Sequence, residues 1–305
     1  MEPPPYPLPP VGAPVRVAFL GASATAGAHA LHAPAGGIVP RFVETRPGTD
    51  PRAALAEFAP HVVIALQPVP AEALDELRAA KLAVAPPAGG DEPRPAGGGG
   101  RAAAGHAAAD TALAAYDRVL RLPGPHGAAG AWRSRPLPVD DRLYADVRRS
   151  HRPPRALAVG RSTEHREAFL TPAKHSHDVV HYTHGLVGEA LAAALADTDI
   201  GIAIGAEPGH GFPPQVPLHL AAGQLLLSQP LTPACGFEPG IDHLEVATTE
   251  LLQTILLQLR SRPEAYERVR VRGRLKAEEH RASKVWPRIV HDLLQDIRTV
   301  GPSIL

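Results

Sequence analysis

Arg155-Ala156-Leu157-Ala158-Val159-Gly160-Arg161-Ser162-Thr163-Glu164-His165-Arg166 is the segment from which the architecture can be read. Four apolar residues run together and stop at a glycine, and a polar loop then opens a helix to about Leu170. An unbroken apolar run of this length suits a strand covered on both faces of a parallel sheet. Glycine at its carboxyl end lets a ligand approach the backbone. The arginines of Gly160 through Arg166 can pair with phosphate oxygens. Read as a plain surface turn, the same loop would leave Glu164 and the arginines solvated.

The pattern continues toward the C-terminus. Asp178 to Tyr182 reads as a strand, Val187 to Ala196 as a helix, and Ile200 to Ile204 as another buried strand. A loop rich in Gly and Pro, Glu207 to Pro214, leads into a short helix, Val216 to Ala222, closed by Gly223. Leu225 to Leu227 and Leu244 to Ala247 are the last strands, and helices over Thr249 to Leu259, Pro263 to Ala282 and Val285 to Arg298 finish the chain. Upstream, Val15 to Leu20, Ile38 to Thr45, His61 to Leu66 and Leu82 to Val84 read as strands, and Tyr116 to Leu122 as the last of that half. Asp50-Pro51 starts a helix through Phe58, and Ala71 to Ala80 is a second one. Strands alternating with helices twice over predict an α/β fold of two doubly wound Rossmann-like domains facing a cleft. In such sheets ligands sit outside the carboxyl ends of the strands.

The composition explains the gaps between these halves. Among 305 residues there are 35 Pro and 28 Gly, about a fifth of the chain. They concentrate in a Pro-rich tail over 1–14, an insertion over about 85–110 containing Gly97 to Gly100, and a linker over 141–154. Tail and insertion are expected to be disordered. The expected division is thus an N-terminal domain over 15–140 and a C-terminal domain over 155–305. The glycine run is no phosphate loop, because no strand feeds it and no Lys-Ser/Thr pair follows. Charges cancel, with 31 Lys+Arg against 31 Asp+Glu, which excludes nucleic-acid binding driven by bulk positive charge. No apolar run reaches a membrane-spanning length, and the N-terminus MEPPPYPLPP is unlike a secretory signal. With a single Cys235 the chain is expected in a reducing cytoplasm. His175, His177, His181 and His184 invite a metal reading, yet on a strand His177 and His181 are too far apart to share an ion, so no metal site is expected.

Several segments carry a resemblance. Val159-Gly160-Arg161-Ser162, Leu218 to Ser228 (LHLAAGQLLLS), Phe237-Glu238-Pro239-Gly240-Ile241-Asp242 and the closing helices from Glu250 and Arg262 resemble the C-terminal half of GT-B fold glycosyltransferases, particularly the bacterial CgeB-like, family 1-like group. Trp132 to Val139 resembles the segment that joins the halves of such enzymes. The resemblance implies a nucleotide-diphosphate sugar, of UDP or GDP type, bound by the second domain and an unknown acceptor bound by the first. It implies transfer without a metal, positive side chains stabilising the leaving diphosphate. Carried over by position, Arg161 and Lys174 face the diphosphate. Gly160, Ser162, Glu164 and Arg166 line the same loop. Glu207 and Gln215 border nucleotide and sugar, and Glu238 and Gly240 close the far side. An inverting reaction would need a base from the first domain; His29 and His32 are the candidates, their alternative being exposed loop histidines. The sequence departs from the family's pattern where retaining relatives carry two glutamates, here His210 and Leu218, and where an arginine is common, here Gln215. The alternative function is therefore an inactive GT-B scaffold that binds a nucleotide or a protein partner.

Overall fold

The computed structural model describes residues 6–21, 27–45, 50–67, 69, 74, 77–85, 113–124, 130–184, 186–209 and 211–301. They form two compact units. The expected insertion over about 85–110, half of the expected helix over 71–80, and His210 lie outside the described residues; the described end of that helix, 77–80, is not helical and leads into a strand at Ala80.

The first unit is a six-stranded parallel sheet in the order β2-β1-β3-β4-β5-β6. Its strands are β1 (Val15–Gly21), β2 (Ile38–Glu44), β3 (Val62–Ala65), β4 (Ala80–Ala85), β5 (Arg118–Arg121) and β6 (Arg133–Ser134). Helix α1 (Arg52–Phe58) links β2 to β3. Successive side chains of a strand face opposite ways, so the apolar run in β1 is buried on both sides. Ala18 and Leu20 join Val63, Ala65, Ala83, Val119 and Leu55 in one cluster. On the other face Phe19 meets the edge of Trp286, ring centroids 5.2 Å apart.

Two expectations change in this unit. Residues 6–14 are tied down rather than a loose tail: Tyr6 is buried and donates its hydroxyl to Asp117 at 2.7 Å, and the Pro9 carbonyl accepts from Arg298. The last helix, α7 (Ala282–Val300), belongs to this unit and not to the C-terminal half. Its apolar stripe (Val285, Ile289, Leu293, Ile297) and Trp286 are buried, and the Trp286 indole N–H donates to the His29 carbonyl at 2.7 Å. Arg118, almost fully buried on β5, needs the Asp296 carboxylate of that helix, 2.5 Å away.

The second unit holds the described residues of 136–281 together with 123–124. Its five parallel strands lie in the order β11-β10-β9-β7-β8: β7 (Ala156–Val159), β8 (Val179–Tyr182), β9 (Ile200–Ala203), β10 (Leu225–Ser228) and β11 (Leu244–Glu245). The intervening helices are α2 (Glu164–Ser176), α3 (Gly188–Ala196), α4 (Gln215–Ala221), α5 (Thr249–Ser261) and α6 (Glu267–Ala277). Helix α2 outlasts its expected end, running past Pro172. The proline withholds one hydrogen bond, but burial of Phe169, Leu170 and Ala173 against the sheet holds the helix together.

The expected linker is part of this unit's packing. Arg270 of α6 donates to the Gly223, Arg148 and Ser150 oxygens, Arg274 donates to the Ala145 carbonyl, and His151 pairs with Asp199 at 2.9 Å. Composition marked 141–154 as a spacer because proline and arginine dominate it. Its backbone carbonyls are instead the acceptors of the buried Arg270 and the half-buried Arg274. Among the described residues no helix is long and apolar enough to cross a membrane.

Candidate functional site

In the second unit the chain runs from β7 to β8 on one side and returns to β9 on the other. The loops after β7 and β9 therefore part at the carboxyl ends of those strands, the usual crevice for a ligand. Gly160 begins the first loop with φ +130°, a backbone state that L side chains rarely adopt. A Cβ there would lie 2.8 Å from Arg166 Nη1 and 3.1 Å from Gln215 Nε2. Glycine is thus required both by the turn and by the close approach of these two side chains.

Arg166 gathers the site. Thr163 caps α2 by accepting from the Arg166 backbone N–H, and donates its own hydroxyl to the Ala206 carbonyl at 2.6 Å. The guanidinium then points inward, donating through Nε to the Ile204 carbonyl at 2.9 Å and through Nη1 to the Arg161 carbonyl at 2.8 Å. It is buried and has no carboxylate partner among the described residues. Burial lowers its pKa, since desolvation disfavours the charged form, but an arginine stays protonated. Beside it the Gln215 amide oxygen is buried with no hydrogen-bond partner among the described residues. The uncompensated buried cation is an arrangement that an anion completes, whereas the free amide oxygen, an acceptor, calls for a donor such as a hydroxyl or N–H group.

The neighbouring loops are stitched to this centre. Gln229, following β10, accepts the Gly205 N–H at 3.0 Å and meets the His165 ring at 3.1 Å. Gly211 pairs with Leu231, and Phe212 packs on Phe237, which stacks on His280 at 5.2 Å. Phe237 is thereby an anchor for the Glu238–Asp242 turn. Within that turn Gly240 has φ +78° and donates to the His243 carbonyl at 2.7 Å, while the Glu238 N–H donates to Asp242 at 3.0 Å.

Lys174 has a different setting from the one expected. Its ammonium donates to Glu167 at 2.8 Å and to His181 Nδ1 at 3.1 Å, and the far nitrogen of His181 donates to the Gly160 carbonyl at 2.8 Å. Ser162 completes the cluster by donating to Glu167 at 2.7 Å. Lys174 and Ser162 hold the Glu167 carboxyl down to about 2. The lysine's charge is already matched, so its effect on the loop runs through Glu167 and His181.

The sequence-derived residues divide accordingly. Gly160, Arg166 and Gln215 come together, with Arg161 and Ser162 on the same loop. The side chains of Arg161, Ser162, Glu164, Glu207 and Glu238 are exposed. His29 lies in the first unit and is buried rather than exposed, and His32 is half-buried, its ring 5.9 Å from Phe42. His181, His165, Glu167 and Gln229 were missed. The histidine-rich run is the one signal in the sequence that points to His181, and it does not show that the ring would meet Lys174 and the Gly160 carbonyl.

No protein-family model matches the sequence, and no curated protein matches it. Solved structures do. Coverage and topology agree over nearly the whole chain with an alpha-glucosyltransferase in complex with UDP-glucose and DNA containing an abasic site (TM-score 0.57, 10% identity, 92% of this chain and 99% of that chain). The fold is the GT-B fold. Sucrose-phosphate synthase from Thermosynechococcus elongatus is similar to the same extent (TM-score 0.58, 10% identity, 93% of this chain and 99% of that one). So is the Anabaena protein HepE in complex with UDP and glucose (TM-score 0.51, 10% identity, 92% and 100%).

Proposed function

We propose that the chain is a GT-B glycosyltransferase that moves a sugar from a nucleoside-diphosphate sugar to an acceptor, with the donor bound at the β7–β9 crevice of the second unit. The observation that carries this reading is the Arg166 guanidinium, fixed between the Ile204 and Arg161 carbonyls and lacking a carboxylate beside Gly160. Its remaining N–H donors match the oxygens of a diphosphate, whose negative charge grows as the sugar leaves. Arg161, exposed on the same loop, adds a second cation. In this reading arginine side chains do the neutralising that a metal does elsewhere, so transfer proceeds in excess chelator. The two neighbours solved with UDP-glucose or UDP support a UDP-type donor over a GDP-type one. His29 of the first unit is the candidate base for an inverting reaction, and the family subgroup is the CgeB-like one that the C-terminal segments resemble.

A second reading has its own observation. Leu218 is buried and apolar where retaining relatives place a glutamate, which suits a scaffold that binds nucleotide without transferring sugar. One pair of measurements separates the two. UDP at a hundredfold excess over its Kd should stabilise the fold by about 2.7 kcal/mol, several degrees in Tm, and Arg161→Ala should shrink that shift. Release of glucose from UDP-glucose then marks the enzyme, and nucleotide binding with no release marks the scaffold. No shift with any nucleoside diphosphate overturns both.

A further inference from the structure

The amino-terminal end of the first unit's sheet, at the starts of β1, β3 and β4, carries a cavity of about 880 Å³, within the range of small-molecule sites. One wall is the stiff run Pro7-Leu8-Pro9-Pro10, held by the Tyr6 hydroxyl on Asp117 and by Arg298 on the Pro9 carbonyl. Leu55 and Ala56 of α1, with Ala59, Pro60, Leu77 and Ala79, line the rest of its apolar surface, and Arg52, paired with Asp50 at 2.9 Å, also lies on the lining. Three polar groups on the lining have donors to spare. Arg16 spends its Nε–H on the Ala59 carbonyl at 2.7 Å, which fixes the guanidinium and leaves it with no carboxylate among the described residues. Arg78 has no carboxylate among them either. His61 accepts the Arg16 backbone N–H at Nδ1, 3.1 Å away, so the neutral ring carries its proton on Nε2, and no described residue accepts it.

Apolar walls with two unmatched guanidinium groups and a spare imidazole N–H fit one kind of molecule. We propose that this cavity is a binding site for a small amphipathic anion: a carboxylate, sulfonate or phosphate on an apolar body, the acid group held by Arg16, Arg78 and His61 and the body lying against Leu55, Leu77 and the proline wall. Arginine forks grip such acids in paired hydrogen bonds, and the preformed wall needs no ordering on binding.

The probe is anilinonaphthalene sulfonate, with uncharged phenylnaphthylamine as its control, each followed by fluorescence on the full chain. One sulfonate dye should bind per chain. Replacing Arg16→Gln and Arg78→Gln together should weaken it about tenfold while leaving the uncharged dye unchanged; Arg78→Gln alone, at an exposed position, should weaken it in the same direction. Ala56→Trp, also exposed and on the lining, should block both dyes by filling the space. Excess UDP should displace neither, because the crevice of the second unit is a separate site. Absence of sulfonate binding, binding indifferent to Ala56→Trp or to the arginine replacements, or displacement by UDP would overturn the proposal.

Discussion

The Nε–H of Arg166 donates to the Ile204 carbonyl 2.9 Å away, so a side chain from the first turn of α2 closes the end of β9. The bond ties the two loops that diverge at the crevice and sets the direction of the guanidinium. Arg166→Lys keeps the charge and removes the fork, since an ammonium cannot bridge the Ile204 and Arg161 carbonyls. UDP binding should weaken about tenfold or more, and the two orphaned carbonyls should cost about 1–3 kcal/mol. Calorimetric titration with UDP and urea unfolding read the two effects separately.

Gly160→Ala tests the turn itself. A methyl group would sit 2.8 Å from Arg166 Nη1 on a residue with φ +130°. The strain should cost about 1–3 kcal/mol, and displacing Arg166 should remove the UDP-dependent rise in Tm. Retention of that rise in the variant would separate Arg166 from nucleotide binding.

Lys174→Met should release Glu167. The carboxyl is held at about 2, chiefly by Lys174 and then by Ser162; without the ammonium its titration should move up toward the ordinary 4.5. Carboxyl-carbon NMR titration follows it directly. An unmoved midpoint would mean that Ser162 and His181 suffice.

Stability should fall in mild acid through His219. This ring is fully buried, and burial pushes its pKa from 6.5 down to about 4. Gln224 spends its amide N–H groups on Leu195 and Thr198, so its oxygen accepts from the His219 Nδ1–H at 2.6 Å. Between pH 6.5 and 4 the unfolded chain binds a proton that the folded chain refuses. The stabilisation is therefore complete above pH 6.5 and is lost as pH falls toward 4, an effect of about 3 kcal/mol. Urea unfolding across that range, wild type against His219→Asn, should show the slope flatten in the variant.

Trp286→Ala should destabilise by about 3–5 kcal/mol, because the indole fills the space against Phe19 and satisfies the His29 carbonyl. A loss below 1 kcal/mol, measured by urea unfolding, would mean that α7 contributes little to the first unit.

The sequence by itself determined the two parallel sheets and most of their elements. A run such as Val17 to Leu20 or Ala156 to Val159 can be satisfied only by cover on both faces, and that requirement is local. Gly160 was legible for the same reason, since a strand that ends in glycine before a polar loop marks a place where backbone is approached. What tertiary structure alone decided is the destination of the long polar side chains and of the last helix. Lys174 and Arg166 are both cations on one helix, yet Lys174 meets Glu167 and His181 whereas Arg166 meets only carbonyls. Glu167 is two turns before Lys174 on α2 itself and follows from spacing, but His181 and the Ile204 carbonyl come within reach only because of where β8 and β9 end. The stripe on α7 likewise announces burial without saying against what. The sheet that receives it is identified by the edge of Phe19, the carbonyl of His29 and the buried charge of Arg118, none of them its neighbours in sequence. Periodicity fixes which face of an element is buried; partners more than a hundred residues away fix what that burial does.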